Sequence, residues 1–277
     1  MELVVSVLSV FGLVFAVFAV RALSLVGLGF AMLRFWRFAR KRLVFQLPYA
    51  EGQLRREAVR AALVVVFDAT VVTAAFLTGL VARPETAPVW AGLATFAAMF
   101  IWYELWFYGT HRAMHHKSLL WIHRAHHDAK ICDPLTSLSF SLGERAILLI
   151  GVIGFAAVAS RLMPFDVRGL MAYALFNYTV NVIGHSNAEI YPRWLIRSPV
   201  GGLIATPSYH ALHHARFRGH YGLFTTVLDR LLGTAFEDRA AVYERAAAGT
   251  GLHRLSERLG QTPPGDAPQR PPPLPAE

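Results

Sequence analysis

Histidine is concentrated in one part of this chain. Of 12 histidines, 11 lie between His111 and His220. His111 and His115 are four residues apart. His123, His126 and His127 follow an i, i+3, i+4 pattern, and His210, His213 and His214 repeat it. Residues three and four apart share a helix face. Each string is therefore expected to present two or three imidazoles to one point. One histidine alone is usually a surface or hydrogen-bonded residue. Three such strings predict metal ligation instead, because polar clusters beside apolar segments are costly unless they act. His185 stands apart, one turn beyond Asn181, and His116 falls outside the pattern.

Eight or nine imidazoles exceed the four ligands of one zinc and fit two ions, each held by several nitrogens. Imidazole suits iron, zinc, copper and nickel. The zinc-protease string His-Glu-x-x-His is absent. Two irons with positions open to O2 would form an oxidant able to attack an unactivated C–H bond, given a dry channel for an apolar substrate. The alternative is a membrane zinc hydrolase or lyase using a metal-activated water. A metal transporter or sensor needs ionisable residues leading across the membrane, and Asp68 is the only acid deep in an apolar stretch.

The elements that must position these residues are apolar. The chain has 277 residues, 55% hydrophobic and only 16% charged, with mean hydropathy +0.40. Globular domains carry about 25% charged residues. Disorder of the main body is excluded. Cys132 is the sole cysteine, which excludes a disulfide scaffold and a cysteine-ligated cluster within the chain. The expected fold class is all-α, an integral membrane helical bundle with a cytosolic, histidine-rich di-metal cap.

Leu3 to Val20 is an uncharged run, and Ala22 to Leu33 continues it past Arg21. Glu2 stands where a signal peptide would carry basic residues. A basic patch follows from Arg34 to Arg60. Ala61 to Val81 and Ala87 to Tyr103 are further spans, joined by the turn Arg83-Pro84-Glu85. Trp102, Tyr103, Trp106, Phe107 and Tyr108 are expected to form an interfacial aromatic belt. Ala146 to Ala159 and Gly169 to Gly184 are short for full crossings, so a tight or re-entrant hairpin is expected. The proline-rich end from Thr262 is expected to be disordered. These segments divide into residues 1–60, an N-terminal helix and basic segment; 61–240, the catalytic domain; and 241–277, a C-terminal extension.

The net charge is +9. Cytoplasmic loops under the positive-inside rule account for it better than nucleic acid does, so no nucleic-acid partner is expected. With Arg34 to Arg60 cytoplasmic, the later spans go out and return twice. All the histidine strings then meet on one cytoplasmic face. The expected location is a multi-pass position in a membrane, taken as a bacterial inner membrane.

The strings His111-Arg-Ala-Met-His115, His123-Arg-Ala-His126-His127 and His210-Ala-Leu-His213-His214 resemble the histidine boxes of the fatty acid hydroxylase/sterol desaturase superfamily. Trp102-Tyr-Glu-Leu-Trp106-Phe-Tyr108, Leu120-Trp121, His185-Ser186-Asn187, Thr206-Pro207, Tyr221-Gly222 and Asp229-Arg230-Leu-Leu-Gly233-Thr234 extend the resemblance over roughly residues 100 to 238. It implies a helical membrane enzyme with a cytosolic di-iron centre that hydroxylates, desaturates or otherwise oxidises lipids with O2 and two electrons. The implied ligands are His111, His115, His123, His126, His127, His185, His210, His213 and His214, their division between two Fe ions not being legible. The implied substrates are acyl lipids, sterols or carotenoids.

Two stretches depart from the family pattern. Only Glu144 survives of the motif that follows the second box in many members, and Arg218-Gly219-His220 replaces a common Asp-x-Asn. Glu144 and Asn181 are the candidate catalytic residues beside the ligands. Glu104, Asp128 and Asp133 are candidates to orient an imidazole, Glu189 is a possible further ligand, and Tyr209 and Tyr221 could touch the site. No nucleotide-binding Gly motif is found, so an external ferredoxin, cytochrome or reductase is the expected electron donor. Arg193, Arg197, Arg216 and Arg218 could dock an acidic donor or meet anionic head groups.

Overall fold

The computed structural model describes residues 2–82 and 87–260. The turn Arg83-Pro84-Glu85 and the proline-rich end from Thr262 lie outside the described residues. Five long helices carry the fold: α1 (Glu2–Phe35), α2 (Gln53–Leu77), α3 (Val89–Met114), α4 (Leu142–Leu162) and α5 (Val167–Gly184). Two shorter helices, α6 (Pro207–Arg216) and α7 (Arg239–Ala247), cap one end. Among the described residues there is no strand, only isolated bridges.

Among the described residues, four helices are long and apolar enough to cross a membrane: Ser6–Phe35, Gln53–Leu77, Val89–Met114 and Leu142–Leu162. Of the two stretches expected to be short, the first is corrected here, while the second, in α5, has 18 residues and is not among these four. The stretch around Ala146 to Ala159 belongs to a helix of 21 residues. Ser141 starts it, its Oγ accepting the Glu144 N–H at 3.1 Å. Hydropathy alone trims charged Glu144, Arg145 and Arg161 from the ends, yet the helix includes them. Likewise α1 runs unbroken through Arg21.

The α1 helix packs on α2, and α3 packs on α5 and α4. Lipid tails are as apolar as leucine, so close approach at small residues holds membrane helices together. Gly169 of α5 abuts the backbone of Gly92 in α3 so closely that any Cβ would collide. The expected interfacial aromatic belt is corrected too. Trp102 Nε1 donates to the Gly151 carbonyl at 2.8 Å and Trp106 Nε1 to Ile147 at 3.1 Å. Tyr103 and Tyr108 are buried. These rings fasten α3 to its neighbours within the bundle.

The cap has its own apolar core, formed by Val44, Phe45, Ile131, Ala211, Leu212, Val242, Ala246 and Leu252. Asn187 ties it to α5. Its Oδ1 accepts from the Phe45 N–H and its Nδ2 donates to the Phe45 carbonyl, both at 2.9 Å. Asn187 holds φ 54°, a left-handed value that asparagine tolerates better than most residues.

Candidate metal centre

The nine histidines of the three strings and His185 converge where α3 and α5 end and where α2 and α4 begin. They form two groups. His111, His115, His123, His127 and His213 make one; His126, His185, His210 and His214 make the other. Within each group one nitrogen per ring lies within 4.8 Å of all the others.

The grouping corrects the expectation that each string serves one point. His213 joins the first group, while His210 and His214 join the second. Successive helical residues diverge by about 100°, so His213 and His214 of α6 cannot face one ion. The second string spans a turn of helix, Leu120–His123, and a 3-10 turn, His126–Asp128, with Arg124 and Ala125 between them also right-handed helical. It splits as α6 does: His123 and His127, four apart, share one group and His126 joins the other.

Hydrogen bonds fix the tautomers. Nδ1–H of His111 donates to the Tyr221 carbonyl at 2.9 Å, His126 to Ser139 at 3.2 Å, and His185 to Asn181 at 2.8 Å. His213 donates to Gly219 at 2.7 Å and His214 to Ala129 at 2.9 Å. His123 Nδ1–H donates to Glu144 Oε1 at 2.7 Å. A carbonyl can only accept, so at His111, His126, His185, His213 and His214 Nδ1 bears the proton and Nε2 keeps a bare lone pair.

Those lone pairs face one another. His111 Nε2 stands 3.1 Å from His123 Nε2, and His126 Nε2 stands 3.3 Å from His185 Nε2. Two acceptors at that range repel unless a cation lies between them. Imidazoles on one ion, about 2.1 Å from it and at right angles, stand ~3.0 Å apart. Both nitrogens of His127 and the Nε2 of His213 are buried without a partner. The donor set thus fits a pair of metal ions. Burial keeps the rings neutral, as ligation requires. It drives His126, His127, His210, His213 and His214 well below the usual range and His185 down to about 4.

The remaining candidates are placed as follows. Glu144 contacts His123 directly, and its Oε2 is buried and unpartnered. Asn181 meets His185 through its backbone carbonyl; its side chain donates to Asn177. Glu104 touches no imidazole. Its Oε1 accepts the Phe224 N–H at 2.6 Å and the Thr225 N–H at 3.1 Å, holding the loop whose Tyr221 carbonyl receives His111. Asp229 steadies the same loop through the N–H groups of Tyr221 and Gly222. Glu189 accepts from Ser208 and Tyr191 and joins neither group.

Asp128 pairs with Arg60, and Asp133 caps the turn Pro134–Leu138. Tyr221 packs edge-on to His111 at 5.7 Å, whereas Tyr209 stacks on His220. His116 bonds Ser118. His220 is satisfied at both nitrogens, donating to the Tyr209 carbonyl and accepting from the Phe236 N–H. Of the four candidate docking arginines, Arg193 and Arg197 pair with Glu244, and Arg216 is buried against Asp238.

Sequence reasoning missed three aromatic walls: Phe140 stacked on His126, Phe217 against His115 and His127, and Phe107 against His111. It also missed the carbonyls of Ser139, Ala129 and Gly219, which no side-chain pattern reveals. Gly219 has φ 124°, and a Cβ there would meet Phe236 at 2.7 Å, so only glycine presents that carbonyl.

A cavity of about 550 Å³ opens beneath the histidines, within the ~300–1,000 Å³ of ligand pockets. Val17, Val72, Phe107, Phe140, Leu149 and Leu170 line it, and Asn181 reaches it.

Comparison with known proteins agrees with this geometry. Residues 96–234 match the family described as Fatty acid hydroxylase. The very-long-chain aldehyde decarbonylase GL1-4 of Oryza sativa subsp. indica is 32% identical over 171 residues, 61% of this chain and 27% of that protein. Protein CER1-like 1 of Arabidopsis thaliana is 33% identical over 147 residues, 52% and 23% of the two chains. The very-long-chain aldehyde decarbonylase CER1 of Arabidopsis thaliana is 31% identical over 146 residues, 51% and 23%. The chain thus spans about a quarter of the length of these relatives. No solved structure matches it. With the three histidine strings inside the matched residues and an all-helical bundle around them, the chain belongs to the fatty acid hydroxylase family, within the fatty acid hydroxylase/sterol desaturase superfamily.

Proposed function

We propose that this chain is a membrane-embedded di-iron enzyme that oxidises a lipid C–H bond, by hydroxylation or desaturation, with O2 and externally supplied electrons. The observation that carries the reading is the pair of imidazole groups, their lone pairs facing, above an apolar cavity. His111, His115, His123, His127 and His213 would hold one iron, and His126, His185, His210 and His214 the other. Iron held there would supply O2 activation.

The protein's own part is to orient and to exclude water. Glu144 fixes the His123 tautomer and raises the basicity of its free nitrogen. The Asn181 carbonyl does the same for His185, and its side chain stands at the cavity wall. Phe140 and Phe217 close the cage against water. Arg34, Arg37, Arg40, Arg55 and Arg56 lie towards the histidine end of α1 and α2, which the positive-inside rule assigns to the cytoplasm. An electron donor, a ferredoxin, cytochrome or reductase, would meet this face.

A second reading for the substrate comes from the relatives' names, which describe very-long-chain aldehyde decarbonylases. The zinc hydrolase or lyase reading suits this site less well, since catalytic zinc uses about three protein ligands and these groups offer five and four.

The test is metal stoichiometry on detergent-purified protein expressed with iron, followed by comparison of the lipids of expressing and non-expressing cells. Two irons per chain, with a lipid gaining one oxygen or losing two hydrogens, is the expected result. A long-chain aldehyde consumed and an alkane one carbon shorter would favour the second substrate. One tightly held zinc and no iron would overturn the oxygenase reading.

A further inference from the structure

The cavity beneath the histidines is lined mostly by apolar side chains, and its charged groups are Arg21 of α1, Asp68 of α2 and Arg145 of α4, with Asn177 and Tyr178 of α5 also on the wall. Asp68 is fully engaged. Arg145 donates from Nε to Oδ1 at 2.7 Å and from Nη2 to Oδ2 at 2.6 Å. Arg21 has no such partner. Its Nε is buried without a hydrogen bond. Among the described residues, the rings of Phe18 and Tyr178 cover its guanidinium, at 4.5 and 4.3 Å. The Tyr178 hydroxyl is likewise buried and unpartnered.

Two guanidinium groups against one carboxylate leave the cavity with a net positive charge inside a wall of aliphatic and aromatic side chains. A charge within a membrane span is costly, and where it persists it pairs with something or marks a substrate path. Tyr178 also lies at a useful depth. Tyr178 precedes His185 by seven residues on α5, which sets it about 10 Å from the metal groups along the helix axis.

We propose that Arg21 anchors the oxygen-bearing end of a long-chain lipid, a carboxylate or an aldehyde carbonyl, with the Tyr178 hydroxyl as a second donor. This rests on the reading of the cavity as the lipid site. A pure hydrocarbon would leave the buried Arg21 Nε and the Tyr178 hydroxyl unsatisfied, so the cavity selects oxygenated lipids over hydrocarbons of equal chain length.

The test is competition against cis-parinaric acid, a fluorescent fatty acid, on the full chain as purified in detergent. Palmitic acid, palmitaldehyde and hexadecane are the competitors. Palmitic acid or palmitaldehyde is expected to compete about tenfold better than hexadecane, the scale of one charge-assisted hydrogen bond. A preference for the acid alone identifies a carboxylate, and an equal preference for both identifies a shared carbonyl oxygen. Arg21→Leu is expected to bring both down to the level of hexadecane. Should Arg21→Leu aggregate, Arg21→Gln takes its place, with the acid preference lost. Equal competition by hexadecane in the wild type, or an undiminished preference in either variant, would overturn the proposal. Iron is measured on the same samples. A protein without iron that still prefers the acid would sink the di-iron reading and leave this one standing.

Discussion

His123 Nδ1 and Glu144 Oε1 stand 2.7 Å apart, and each side chain is only 2% exposed. The carboxylate enters from the first turn of α4, while the imidazole ends a separate helical turn. Replacing the carboxyl group should therefore loosen a metal site without removing a ligand. Glu144→Gln is expected to weaken metal retention roughly 10- to 100-fold, the usual effect of losing such a partner. Metal content after graded chelator washes checks this. Retention equal to wild type would refute the role.

His127 and His220 offer a paired contrast. Both are buried, but His127 has no partner at either nitrogen whereas His220 has one at each. His127→Ala should lose metal and turnover while the bundle stays folded. His220→Ala should keep its metal and lose about 1–3 kcal/mol of stability for the groups left unpaired. Metal analysis and thermal denaturation of the two variants decide it. Metal loss in His220→Ala alone would reverse the assignment.

What the sequence showed and what it hid separate along a physical line. The three strings, the isolated His185 and Glu144 were legible because side-chain identity carries the chemistry. The split of His213 from His214 follows from helix geometry once α6 is known to be continuous. The split of His126 from His123 and His127 follows the same helical spacing, four residues together and the third apart. Glu104 was legible as an acid able to orient an imidazole, yet it grips the Phe224 and Thr225 backbone instead. Backbone acceptors such as Ser139 and Ala129 left no trace, because any residue supplies a carbonyl. The aromatic cluster from Trp102 to Tyr108 had the composition of an interfacial belt, and only packing showed that it joins helices.

Acid should destabilise the metal-free protein. Burial holds His126, His127, His210, His213 and His214 below their ordinary range. Below pH ~6.5 the unfolded chain takes up protons that the folded chain refuses, so stability falls as the pH falls. The loss should continue until the folded rings themselves protonate, His185 at about 4. Each such histidine contributes up to about 1.4 kcal/mol per pH unit. Melting temperatures of chelator-treated protein between pH 8 and pH 5 measure the slope. A flat profile would contradict neutral, buried rings.

Cys132 is 1% exposed, and burial pushes its thiol well above the usual range. Iodoacetamide should leave it unmodified in the native protein and label it after denaturation, since the thiolate is the reactive form. Intact-mass spectrometry before and after denaturation reads this directly. Rapid native labelling would mean that the cap opens around Ile131.

Each metal group draws on chain segments made far apart in time. The first takes His111 and His115 from α3 and His213 from α6; the second takes His126, His185 and α6. During synthesis, neither cage can close until the ribosome has passed His214, by which point α1 to α5 are already made. Any metal these groups hold must therefore enter late, into a bundle whose five long helices are already made.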